Sequence, residues 1–89
     1  MQIQWSSEAW EDYLYWQTQD KKTIKKINDL IKDISRNGHS GLAKSEPLVG
    51  DLSGWWSKRI DSKNRLIYSI SEEQESVLRV LACRSHYGE

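Results

Sequence analysis

An apolar stripe with a defined start and stop does most to fix what this chain can become. Ile24, Ile27, Leu30, Ile31 and Ile34 recur at intervals of three and four, which puts them on one face of an α-helix. Asp20 stands where an N-cap is needed. Asn37-Gly38 supplies residues that tolerate the left-handed conformation closing a helix. Lys21, Lys22, Lys25, Lys26 and Lys32 lie mostly off the apolar face. A helix with one such face must bury it against another layer.

The flanking sequence supplies that layer. Ser6 or Ser7 can cap a first helix, with Glu8, Glu11 and Asp12 near its positive N-terminus and Trp10, Tyr13 and Leu14 as its stripe. Ile3-Gln4-Trp5 alternates apolar and polar and predicts a short first strand. Residues 37–50 hold three of the five glycines and the single proline, Pro47, and read as a loop. Three β-rich runs follow, 55–60, 65–70 and 77–83. Asp61-Ser62-Lys63-Asn64 and Ser71-Glu72-Glu73-Gln74-Glu75 separate them as turns. Consecutive strands on short connections favour an antiparallel meander. The expectation is one α+β domain over residues 1–89, in the order β-α-α-β-β-β. Two N-terminal helices would pack on one face of an antiparallel sheet and leave the other face open to a ligand or partner.

Composition bounds the function. Eighty-nine residues suit one domain with a thin core. No apolar run approaches the roughly 20 residues of a membrane span, and the N-terminus lacks a secretory pattern, so a cytoplasmic protein is expected. One cysteine and two histidines argue against a structural zinc site, and no metal or cofactor is expected. Cys83 ends an apolar run and reads as a buried thiol. Trp5, Trp10 and Trp16 read as core, and Trp55 and Trp56 as opposite faces of one strand. Thirteen basic residues balance thirteen acidic ones, but unevenly along the chain. Residues 1–20 carry −4, 21–50 carry +4, 51–70 carry +2 and 71–89 carry −2. A neutral chain gains little long-range steering toward a polyanion, yet a locally basic surface can contact phosphates.

A short set of residues could do chemistry. Glu46 precedes Pro47, which stiffens its loop. Arg59 and Arg65 fall on adjacent runs and can meet across a hairpin, or else form ion pairs with Asp51 or Asp61. His86 and Tyr87 follow the last run. His39 lies in the central loop without an evident role. RNA brings its own nucleophile, the 2′-hydroxyl. Its cleavage needs a base, an acid for the leaving 5′-oxygen, and cations for the charged phosphorane. A carboxylate, an imidazole and guanidinium groups form a sufficient set, and a tyrosine can stack on a base. Each of these residues also has an ordinary reading as a solvated or strand-edge side chain.

The order of the segments resembles the YoeB/Txe toxins of the RelE superfamily. The match runs through Trp5-Ser6, Trp10-Glu11-Asp12-Tyr13-Leu14-Tyr15-Trp16 and Lys25-Lys26-Ile27-Asn28-Asp29-Leu30-Ile31-Lys32. It continues through Lys44-Ser45-Glu46-Pro47-Leu48, Leu52-Ser53-Gly54-Trp55-Trp56-Ser57-Lys58-Arg59-Ile60, Arg65-Leu66-Ile67-Tyr68 and Cys83-Arg84-Ser85-His86-Tyr87. The resemblance implies a fold like the microbial ribonucleases and cleavage of messenger RNA in the ribosomal A site. It implies Glu46 as general base, Arg65 on the transition-state phosphate, His86 as general acid and Tyr87 beside it. Arg59, and more weakly Lys44 and Lys58, would hold the RNA backbone. The implied partners are the ribosome with its mRNA, an antitoxin like YefM through which alone operator DNA is reached, and a second copy of the chain. A non-catalytic protein of the same fold, acting by binding an antitoxin or by occupying the ribosome, is the alternative. This chain departs from the family pattern in three places. It continues past His86-Tyr87 with Gly88-Glu89, reads Gly41-Leu42-Ala43 before Lys44, and has Lys58 where many relatives have Arg.

Overall fold

A computed structural model describes residues 1–41, 43–72 and 75–84. The elements are β1 (Gln2–Trp5), α1 (Ser7–Gln19), α2 (Lys21–Asn37), β2 (Ser45–Pro47), a 3-10 turn (Gly50–Leu52), β3 (Trp56–Arg59), β4 (Arg65–Ser71) and β5 (Val77–Ala82). The helix expectations hold. Of the two candidate caps, Ser6 is the one used: its Oγ accepts from the Ala9 N–H at 2.9 Å and donates to the Leu81 carbonyl at 2.7 Å. Asp20 closes one helix and opens the next. Its N–H donates to the Trp16 carbonyl, and its carboxylate accepts from the N–H groups of Lys22 and Thr23. Gly38 ends α2 at φ 64°, where a glycine carries no steric penalty.

The strands form one five-stranded sheet in the order β1-β5-β4-β3-β2. The meander β3-β4-β5 is antiparallel as expected. The sheet as a whole is mixed rather than antiparallel, because β1 pairs parallel to β5, Ile3 beside Leu78 and Trp5 beside Val80. The two helices lie between β1 and the meander in sequence, so the chain crosses over before it returns to the sheet. A second correction falls in 37–50, which is not wholly loop. Ser45–Pro47 pairs antiparallel with β3 as an edge strand. An edge is where proline's missing N–H is tolerated.

The core lies between helices and sheet. Ile27, Leu30 and Ile34 of α2 are fully buried against Leu66, Tyr68, Leu78 and Val80. Ile24 is only half-buried at the rim of the stripe. Cys83 is buried as expected, and burial with the nearby Asp12 carboxylate pushes its thiol up to about 12. Trp5 and Trp16 pack against the core, but Trp10 stays 45% exposed beside Trp5 and Tyr13. None of the described helices is long and apolar enough to cross a membrane.

Candidate active site

Strand alternation sorts the side chains of β2, β3 and β4 onto two faces. Register places Glu46 beside Ser57 and Ser57 beside Ile67, with Arg59 beside Arg65 one step further along. These residues share the face turned away from the helices. Ser57 is small and buried between two strands, so Glu46 can reach diagonally over β3. Its Oε1 lies 3.6 Å from Nη1 of Arg65. Both groups are partly exposed, so the pair adds about 0–1 kcal/mol to stability. Its value is positional: a carboxylate and a guanidinium meet at an open surface. Arg59 and Arg65 face each other across the hairpin, as their spacing suggested. Asp61 is taken by its own turn, accepting from the N–H groups of Lys63 and Asn64 and from the Asn64 amide. Burial works against its charge, but these donors hold its carboxyl below the ordinary value.

Glu46, Lys44, Arg59 and Arg65 line a cavity of about 390 Å³, together with Lys26, Ala43 and Ile60. A second cavity of about 220 Å³ adjoins it and shares Glu46 and Arg65, with Pro47, Leu48, Ser57 and Ile67 as its other walls. The structure therefore brings Glu46, Arg65, Arg59 and Lys44 together. His86 and Tyr87 lie outside the described residues. The chain leaves β5 at Ala82, whose partner on β4 is Ile67 of the smaller cavity.

Lys58 is the exception among the expected site residues. It pairs with Ser45 and Leu66 on the helix-side face and is fully buried. Its Nζ donates to the carbonyls of His39 and Ala43, at 3.2 and 2.9 Å. Burial pulls its ammonium below the ordinary lysine value, and Asp33 partly opposes this. An ammonium so placed does not face an RNA phosphate, and the reading of Lys58 as a backbone contact is corrected to a support of the loop before Glu46.

That support involves more than Lys58, and sequence reasoning missed it. The Tyr68 hydroxyl contacts His39 Nδ1 at 2.9 Å and Ser45 Oγ at 3.0 Å, and Ser45 Oγ donates to the His39 carbonyl. Counting protons fixes the direction. Ser45 spends its proton on the carbonyl, so Tyr68 donates to Ser45 and Nδ1–H of His39 donates to Tyr68. If Tyr68 donated to His39 instead, no proton would lie between the two hydroxyl oxygens. The His39 ring stacks on Trp56 with centroids 3.9 Å apart. Burial and then the Lys58 charge hold the His39 imidazole below its ordinary value, with Glu72 opposing. Ala43, whose carbonyl Lys58 holds, sits at φ 56°, strained for a residue with a Cβ. Gly41 sits at φ 102°, a conformation strained for any residue with a Cβ, and it lies against the Asp33 carboxylate. A polar network beneath the sheet thus fixes the backbone of Lys44-Ser45-Glu46. The available signal was the alternation Trp56, Lys58, Ile60, which puts this lysine on the apolar face.

Comparison with known proteins covers nearly the whole chain. Residues 5–87 match the family described as the YoeB-like toxin of bacterial type II toxin-antitoxin systems. The chain is 49% identical to the toxin YoeB of Escherichia coli K12 over 87 residues, 98% of this chain and all of that one. A YoeB/ParE toxin from Agrobacterium tumefaciens superposes with a TM-score of 0.93 at 42% identity, covering 98% of this chain and all of that one. The toxin in a YoeB-YefM complex from Staphylococcus aureus gives 0.87 at 40% identity, covering 98% of each chain. With the match spanning every element that builds the site, this chain belongs to the YoeB-like toxins of bacterial type II toxin-antitoxin systems.

Proposed function

We propose that the protein is a ribosome-dependent endoribonuclease that cuts messenger RNA in the ribosomal A site without a metal. The observation that carries this reading is the convergence of Glu46 and Arg65, 3.6 Å apart, with Arg59 and Lys44 around one cavity. Glu46 takes the proton of the 2′-hydroxyl, whose oxygen attacks the adjacent phosphorus. Arg65 and Arg59 balance the charge that builds on the phosphorane oxygens. The bond to the 5′-oxygen breaks as His86 protonates it, leaving a 2′,3′-cyclic phosphate and a 5′-hydroxyl. Tyr87 stacks on or hydrogen-bonds to the nucleotide. Such a protein works in the cytoplasm, where ribosomes are.

The partners follow from relatives. The Staphylococcus aureus relatives are described as a YoeB-YefM complex and as a YoeB dimer. This chain likewise pairs with a YefM-like antitoxin, which would deliver it to operator DNA, and forms a homodimer.

A purified translation system tests the reaction. Wild-type protein, Glu46→Gln and His86→Ala are added to ribosomes on a defined message, and the cuts are mapped by primer extension. Cuts within A-site codons are expected only with ribosomes. Each variant should lose roughly 10²–10⁴-fold in rate. A 5′-phosphate product would overturn the mechanism. Inhibited translation without cuts would instead support action by occupancy.

A further inference from the structure

Glu46 and Arg65 stand at the junction of the two cavities, and the two differ in character. The smaller has Pro47, Leu48 and Ile67 in its wall and, among the described residues, no cation besides Arg65. The larger runs from the sheet to α2, where Lys26 joins Lys44, Arg59 and Arg65. Four cations there face one carboxylate, Glu46. Lys26, Lys44 and Arg59 form no ion pair with any described residue. Three cations that no described residue neutralises converge in one concave space and repel each other, a cost that an anion removes.

The helix makes Lys26 distinct from its neighbours. Lys21, Lys22, Lys25 and Lys32 line neither cavity. Lys25 is engaged with Asp29 at 3.0 Å. The cleavage step itself occupies Arg65 and Arg59 at the scissile phosphate, which leaves Lys26 and Lys44. The surplus positive charge on the α2 side is therefore available to the next phosphate along the strand.

We infer that Lys26, with Lys44, forms a second phosphate subsite for the nucleotide neighbouring the scissile step. The RNA backbone then runs from the open sheet face around the end of β3 toward α2. This rests on the nuclease reading above, but its test does not depend on cleavage.

The probe is a short RNA oligonucleotide with 2′-O-methyl groups throughout, which lacks the nucleophile. Its binding is followed by fluorescence anisotropy over a salt series for wild type, Lys26→Gln and Lys22→Gln. Lys22 is exposed on the same helix, so it controls for net charge. Each phosphate neutralised on a single strand adds about 0.7 to the slope of log K against log salt. Lys26→Gln should lower the slope by that amount, and Lys22→Gln should follow wild type. In the translation assay Lys26→Gln should raise the apparent KM with kcat unchanged. Equal slopes and equal KM values for the two variants, or no oligonucleotide binding by wild type with equal KM values, overturn the subsite while leaving the nuclease reading intact. A slope difference without any cleavage would keep the subsite and remove the nuclease.

Discussion

Between Trp56 and Arg59 the side chains alternate across the sheet, which sends the adjacent cations Lys58 and Arg59 to opposite faces. Arg59 joins the open cavity, and Lys58 is buried with its ammonium on two loop carbonyls. A buried cation is tolerated where such oxygens replace water. Lys58→Met keeps the length and takes this donor from the Ala43 carbonyl, while the His39 carbonyl keeps Ser45 Oγ. The expected cost is about 1–3 kcal/mol, read from urea midpoints at constant m. A midpoint within error of wild type would show that Lys58 does not hold the loop. His39 gives a pH test of the same network. Its value is lowered by burial and by Lys58, so the unfolded chain binds the proton more readily than the fold does. Its stabilising contribution is therefore complete above the ordinary histidine value of about 6.5 and is lost as pH falls below it. His39→Asn retains a donor toward Tyr68 without a titrating ring. The comparison is made in a His86→Ala background, which removes the other histidine. Between pH 7.5 and 5.5 the melting temperature should fall for the chain that keeps His39 and change less for the chain with His39→Asn. Parallel curves would remove the imidazole from the account.

At the scale of elements, Ser6 couples helix to sheet, because one hydroxyl caps α1 and bonds to β5 at Leu81. Ser6→Ala removes both bonds, and a loss of about 1–2 kcal/mol is expected in thermal or urea unfolding. Ser7→Ala, one residue along, should change little; equal losses for the two would contradict this assignment of the cap. The helices were legible in sequence because their signals are local: a 3.6-residue period, Asp20 at a boundary and Asn37-Gly38 at the end. The hairpin between β3 and β4 was legible for the same reason, and with it the facing of Arg59 and Arg65. The direction of β1 was not. Ile3-Gln4-Trp5 alternates identically in a parallel or an antiparallel pair, and the choice depends on where β5, more than seventy residues later, lies. Nor was β2, since three residues with a proline carry almost no strand pattern and pair only because β3 presents an edge. Glu46 thus sits on a strand whose existence is a tertiary fact. Local pattern put this glutamate on a short list through Pro47, and the family resemblance gave it its role.

Across the whole molecule, the helix layer holds the point where the chain leaves the sheet. The Cys83 N–H donates to Asp12 Oδ2 at 3.1 Å, and the Cys83 carbonyl accepts from Trp16 Nε1 at 2.9 Å. Arg84 places its Cζ 3.5 Å from the centre of the Tyr15 ring. Burial raises the Asp12 carboxyl above its ordinary value, and the Cys83 N–H partly opposes this. All these contacts come from one helix, α1, which itself contributes nothing to the Glu46 cavity. Their effect is to fix both backbone groups of Cys83, a residue close to His86 in sequence. On the proposed role of His86 as the acid, loosening Cys83 is expected to disturb the acid's alignment, and misplacement of a catalytic group by about 1 Å can cost roughly 10²-fold in rate. Trp16→Phe keeps an aromatic ring and removes the donor. It should lower stability by about 0.5–1.5 kcal/mol. It should also lower kcat for A-site cleavage by about tenfold or more, with KM for the programmed ribosome unchanged, because Arg59, Arg65 and Lys44 are untouched. The assay is run well below the variant's melting temperature, so that unfolding does not mimic the effect. A stability loss with unchanged kcat would make the α1 contacts a fastening of the fold alone, whereas a kcat loss at full folding assigns α1 to the alignment of the acid.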